Sequence, residues 1–247
     1  MKKFLIVTLM FMAIGIFASS FETITFDSKD GVKITADVYI AHPNTAPFII
    51  LYHQAASSRG EYREIAPELN KLGFNAMAID QRAGYGMAGV ENETVKRVEI
   101  KDDYPTYLDA LPDMEAGAAY AMKHYAKGKI ILWGSSYSAS LVLKMSGDDP
   151  AIADGVLAFS PGEYFTWVSS SLITKSAKNI KIPVFITSGK NEKDRWNSIY
   201  EAIPSPKKIY FLPQAQGTHG SRALWKSTAG NEEYWQAVKQ FLNQFLK

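Results

Sequence analysis

Apolar positions run along this chain in short blocks with two different periods. Residues 22–26 and 32–40 are rich in β-branched and aromatic side chains. Between them lies Asp27-Ser28-Lys29-Asp30-Gly31, whose Asp-Gly pair suits a turn with positive φ, so the pair predicts an antiparallel hairpin. Residues 48–52 (Phe-Ile-Ile-Leu-Tyr) form a continuous apolar run, expected of a strand buried on both faces. The period then lengthens: Ile65, Leu69 and Leu72 recur at helical spacing before Gly73, which predicts a helix over 61–72. Residues 76–79 predict the next buried strand, ending at Asp80.

The alternation continues to the end of the chain. Residues 104–125 are helical in composition, with Pro105 and Pro112 bearing on where that helix starts and whether it is continuous. Strands are predicted at 129–133, 155–159, 182–187 and 209–212, and helices at 137–145 and around 196–203. Residues 231–246 close the chain as an amphipathic helix with Tyr234, Val238, Phe241, Leu242 and Phe245 on one stripe. A leading hairpin followed by alternating strands and helices implies an α/β fold: a mostly parallel sheet covered by helices on both faces. Reactive groups in such a sheet sit on loops beyond the carboxyl ends of the strands. There is no internal repeat and no linker.

The first twenty residues follow another logic. Met1-Lys2-Lys3 is a basic start, residues 4–17 are apolar apart from Thr8 and Gly15, and Ala18-Ser19-Ser20 sets small residues before Phe21. That is the layout of a secretory signal peptide cut near Ser20/Phe21. The apolar run is shorter than the roughly 20 residues of a membrane-spanning helix, so export to the periplasm or medium, with no stable membrane insertion after cleavage, is expected. Without residues 1–20 the 27 basic side chains fall by Lys2 and Lys3 to 25, equal to the 25 acidic ones. The mature chain is formally neutral and has no concentrated Lys/Arg tract of the kind nucleic acid requires. With no cysteine, disulfides, zinc thiolates and a cysteine nucleophile are excluded. Residues 21–247 are long enough to fold as one domain on their own core.

The most informative stretch is Gly134-Ser135-Ser136-Tyr137-Ser138, which joins the strand 129–133 to the helix 137–145. A nucleophile held on a strained strand-to-helix turn needs small residues two before and two after it. Ser136 meets that condition with Gly134 and Ser138, whereas Ser135 would be flanked by Trp133 and Tyr137. The departure from G-x-S-x-G is Ser138 in place of the second glycine.

With this elbow, Leu51-Tyr52-His53-Gln54-Ala55, the stretch from Ala78-Ile79-Asp80 to Gly84-Tyr85-Gly86, residues 183–189 and Gly217-Thr218-His219-Gly220, the chain resembles the α/β-hydrolase superfamily over residues 22–247. Within it the chain is similar to the dienelactone-hydrolase-like and small-esterase branch. The resemblance implies a central, mostly parallel sheet, no cofactor or metal, and a Ser-His-acid triad. In that fold the triad order is serine, acid, histidine. His42, His53 and His124 precede Ser136, which leaves His219 as the base. The acid is expected on the loop Ser188-Gly189-Lys190-Asn191-Glu192-Lys193-Asp194. Counting Gly-x-x-acid from Gly189 reaches Glu192, a short insertion would give Asp194, and some relatives use the position of Glu163.

The oxyanion donors implied by the resemblance are the backbone N–H of Tyr137 and that of Ala55, with the Gln54 side chain as an alternative because it stands where relatives carry glycine. His53, Tyr85, Tyr164 and Trp167 are candidates for a substrate pocket, His53 having a structural role in fixing its loop as the alternative. Arg59, Arg82 and Arg195 also fall on these loops. Only 22 residues separate the strands 155–159 and 182–187, so no large lid is expected there, and residues 87–103 are the other candidate cover. The function expected is hydrolysis of a small-molecule carboxylic ester or related acyl bond by an exported enzyme. A serine peptidase, or a binding protein that kept the fold without catalysis, is the competing reading. Nothing in the sequence sets an oligomeric state.

Overall fold

The computed structural model describes residues 21–98 and 106–246. The signal-peptide reading, the start of the helix expected from Tyr104, and residues 99–103 of the candidate cover lie outside these. The described residues form an eight-stranded sheet in the order β1-β2-β4-β3-β7-β8-β9-β10. Its strands are β1 (Glu22–Asp27), β2 (Lys33–Tyr39), β3 (Phe48–Tyr52), β4 (Asn75–Asp80), β7 (Ile130–Ser135), β8 (Gly155–Phe159), β9 (Val184–Thr187) and β10 (Lys208–Phe211). The two-residue strands β5 (Gly86–Met87) and β6 (Val90–Glu91) pair separately as a small ribbon. β2 runs antiparallel to both β1 and β4. Every pairing from β4 to β10 is parallel. The carboxyl ends of six strands therefore open on one edge, and the loops leaving that edge build the candidate site.

The helices are α1 (Ile65–Lys71), α2 (Leu111–His124), α3 (Tyr137–Asp148), α4 (Leu172–Ala177), α5 (Lys193–Ala202) and α6 (Asn231–Leu242). They lie on both faces, and strand alternation divides the core between them. In β3, Ile50 and Tyr52 face α2 and α3, while Ile49 and Leu51 face α1 and α6; in β7, Leu132 takes the first side and Ile131 and Trp133 the second. These two runs read as apolar because both faces of β3 and β7 are covered, while the edge strands β1 and β10 stay partly exposed. Among the described residues no further domain is inserted, and no helix is long and apolar enough to cross a membrane.

Prolines set the starts of two helices, α1 and α2. The segment expected as one helix over 61–72 is a 3-10 turn, Arg59–Tyr62, followed by α1. Pro67 sits in the first turn of α1, where its missing N–H costs nothing; further inside a helix its ring would clash with the carbonyl of residue 63. Pro112 likewise starts α2 instead of breaking it, after a 3-10 turn over Tyr107–Ala110 that carries a Thr106/Asp109 capping box.

Two of the loop arginines are structural. Arg59 contacts Asp37 (3.1 Å) and Asp80 (2.5 Å), and Arg63 joins Asp37 at 3.0 Å. Arg82 binds Asp113 and Asp30 at 2.6 Å each, and its guanidinium holds the Asp30 carboxyl well below the usual carboxylate range.

Candidate functional site

Ser136 occupies the turn between β7 and α3 at φ 57°, ψ −121°, a region that a residue bearing a Cβ adopts only when its surroundings hold it there. Sterics explain the small neighbours. A Cβ on Gly134 would sit 2.3 Å from the Ser138 carbonyl oxygen. Ser138 stands where the G-x-S-x-G pattern has its second glycine, and its hydroxyl donates to the His53 carbonyl and accepts from Gln81 Nε2, each at 2.6 Å.

His219, on the loop after β10, places Nε2 2.8 Å from Ser136 Oγ and Nδ1 2.5 Å from Glu192 Oε1. A carboxylate only accepts, so Nδ1 carries the proton and Nε2 accepts from the serine hydroxyl. Glu192 ends a 3-10 turn over Lys190–Glu192, directly after β9 and its short connection. Its Oε2 accepts from Ser160 Oγ (2.7 Å) and from the Gly189 N–H (3.2 Å). Burial works to raise the Glu192 pKa, but the His219 and Ser160 hydrogen bonds outweigh it, and the net shift is downward. The other two acids lie elsewhere. Asp194 is exposed in the first turn of α5, and Glu163 accepts the Ile173 and Thr174 N–H groups at the start of α4.

Ser160 carries no motif and was not singled out in the sequence. It follows β8 at φ 58°. Its hydroxyl donates to Glu192 and accepts the Gly220 N–H at 2.9 Å, so it ties the carboxylate to the residue after His219. Its only sequence signal is its place at the carboxyl end of a parallel strand.

Among the described residues, neither the Ala55 N–H nor the Tyr137 N–H has a hydrogen-bond partner. Tyr137 follows the serine at the start of α3, and Ala55 lies on the loop leaving β3, the strand paired with β7. The Gln54 N–H is engaged with Glu61 Oε2 at 2.8 Å, while Gln54 Oε1 is buried without a partner. His53 is not brought to the site surface. It is fully buried, with Nδ1 donating to the Gln54 carbonyl and Nε2 accepting from the Gln81 N–H. Burial pushes its pKa down to about 4. Tyr164 donates to the Ser160 carbonyl at 2.8 Å and lies beside Ser136. Tyr85 and Trp167 are 62% and 61% exposed, and no contact among the described residues ties either to Ser136. Tyr107, which the sequence reading passed over, stacks on the Tyr137 ring with centroids 4.7 Å apart.

An imidazole bonded to a hydroxyl on one side and a carboxylate on the other can take the hydroxyl proton and hold the resulting charge. An unpartnered N–H group beside such a hydroxyl can donate to a developing oxyanion.

No protein-family profile and no curated protein matches the chain in sequence. Solved structures match it in shape. An esterase of Pyrococcus furiosus superposes with a TM-score of 0.70 at 20% identity, over 92% of this chain and 93% of that one. A dienelactone hydrolase from Anabaena variabilis ATCC 29413 gives 0.71 at 14% identity, over 92% and 99%. An acetyl xylan esterase from Paenibacillus sp. R4 gives 0.69 at 16%, over 94% and 86%. At these identities the likeness is one of fold, and it extends over almost the whole described chain.

Proposed function

We propose that this chain, whose fold is that of the α/β-hydrolases, is a serine hydrolase that cleaves carboxylic esters of small molecules through an acyl-enzyme. The observation that carries the reading is the unbroken line from Ser136 Oγ through His219 to Glu192, at 2.8 and 2.5 Å, on a serine held at strained dihedrals. Ser136 Oγ attacks the acyl carbon as its proton passes to His219 Nε2. Glu192 stabilises the imidazolium and keeps the ring in the required tautomer. The tetrahedral oxyanion takes hydrogen bonds from the Ala55 and Tyr137 N–H groups. Collapse expels the alcohol with the proton from His219, and water, deprotonated by the same imidazole, releases the acid. The esterase and hydrolase activities of the structural neighbours favour an ester over an amide.

A panel of p-nitrophenyl esters of graded acyl length, run beside aminoacyl amides, tests this reading. Ester turnover that falls by about 10³-fold or more in Ser136→Ala is expected. Turnover of amides alone would overturn the ester assignment. The same proposal includes export, supported by the signal-like residues 1–20: protein recovered from outside the cytoplasm of a bacterial host is expected to begin at Phe21, by intact mass, and retention of residues 1–20 would contradict it.

A further inference from the structure

One side chain outside the proposed chemistry touches both the loop after β3 and the elbow that carries Ser136. Glu61, in the 3-10 turn Arg59–Tyr62, is fully buried. Its Oε1 accepts the Ser135 hydroxyl at 2.7 Å and its Oε2 accepts the Gln54 N–H at 2.8 Å, with the Ser57 hydroxyl further off at 3.4 Å. Ser135 Oγ in turn accepts the Ser221 N–H at 2.9 Å, so its own proton is directed to the carboxylate. The Glu61 carbonyl receives Trp225 Nε1 at 2.8 Å, which ties the same turn to the segment beyond His219.

The residues held are the chain neighbours of the reacting groups. Gln54 precedes Ala55, Ser135 precedes Ser136 and stands two before Tyr137, and Ser221 follows His219 by two. Gly220 closes the cluster: a Cβ there would lie 2.5 Å from Ser135 Oγ and 2.7 Å from Gln54 Oε1. A carboxylate removed from water is costly unless donors surround it, and an apolar residue would fill this turn at lower cost. Burial pushes the Glu61 pKa up, while Gln54, Ser135, Arg222 and Ser57 work against that shift.

We propose that Glu61 is a positioning residue whose two carboxylate oxygens set the separation of the two oxyanion donors and the seat of the nucleophile. This rests on the serine-hydrolase reading. Both N–H groups meet the oxyanion fully only in the transition state, so loosening their spacing lowers kcat and leaves KM in place.

The test is Glu61→Gln, which keeps the shape and turns one acceptor into a donor, so that the Gln54 and Ser135 contacts can no longer both be made as they are. Expected are a kcat about ten- to a hundredfold lower on a p-nitrophenyl ester, KM within about threefold, and phosphonylation by a fluorophosphonate slowed in proportion to kcat. Ser135→Ala, which removes only the elbow arm, is expected to lower kcat about tenfold, and the double variant to be no worse than Glu61→Gln alone. A buried acid that only supports the fold would lower Tm and the titre of reactive sites while leaving kcat per reactive site unchanged, and that result overturns the proposal. So do losses confined to KM, or losses that multiply in the double variant. If Glu61→Gln does not accumulate folded, Ser135→Ala decides on the same criteria. A wild-type protein that neither hydrolyses esters nor takes up the fluorophosphonate defeats the serine-hydrolase reading and this inference with it. An active wild type with unchanged variants defeats the Glu61 role alone.

Discussion

At Ser136, Ser160 and Ala56, three residues bearing a Cβ adopt positive φ on the carboxyl edge of the sheet. Each such position costs on the order of 1–3 kcal/mol, so the packing around the loops must hold them. Around Glu192 that holding is chemical. Its carboxylate receives the imidazole, a hydroxyl and an amide, and an amide side chain could not replace all three contacts. Glu192→Gln is therefore expected to lower kcat/KM by about 10²- to 10⁴-fold, whereas Asp194→Asn, at an exposed position two residues on, stays within about twofold. Esterase assays of the two variants side by side check this. The lowered Glu192 pKa also has a stability signature. A depressed carboxylate contributes stability above its unfolded value, near 4.3, and loses it as the pH falls through the folded value. Thermal melts should show wild type more stable than Glu192→Gln at pH 6, with the gap closing below about pH 4. A gap that is the same at both pH values would contradict the shift.

At the scale of elements, the β7–α3 turn depends on one hydrogen atom. Gly134→Ala forces a methyl group against the Ser138 carbonyl at 2.3 Å, and backbone on both sides leaves nothing flexible to yield. A loss of about 2–4 kcal/mol is expected by urea unfolding, with any folded protein defective at Ser136. The same local crowding is why the elbow was legible from sequence: its requirements fall within five consecutive residues. His219 was legible by order, as the one histidine after the elbow. The choice between Glu192 and Asp194 was not, because it turns on where a 3-10 turn ends and α5 begins, a difference of one helical step. Ser160 and Glu61 were invisible because their partners are remote in the chain: 32 residues separate Ser160 from Glu192, and 74 separate Glu61 from Ser135. The central strands were legible because burial on both faces makes them largely apolar, and β1 and β2 through the turn residues between them. Helix starts differ from the periodicity where Pro67 falls in the first turn of α1 and Pro112 opens α2.

Across the molecule, buried ion pairs fasten the antiparallel end of the sheet to the loops that carry the site. Arg59 and Arg63 join Asp37 of β2 and Asp80 of β4 to the turn that contains Glu61. Removing one partner leaves uncompensated buried charge, so Asp80→Ala should destabilise by about 3–5 kcal/mol, measured as a lower urea midpoint. An unchanged midpoint would show that this end contributes little to the fold. Arg59 and Arg82 are both committed to such pairs, whereas Arg195 lies against Tyr164 beside Ser136, so the surface there combines an aromatic ring with a cation. The fold and the site thus depend on each other: six parallel strands bring the loops to one edge, and buried polar contacts fix their spacing. The proposed chemistry rests on Ser136 as a nucleophile activated by His219. Its most direct measurement is fluorophosphonate labelling of the folded protein, with the adduct located by peptide mass. One adduct is expected, on Ser136, absent in Ser136→Ala and strongly slowed in His219→Ala. A folded wild type that takes no label, or a Ser136→Ala variant that labels equally well, would contradict it.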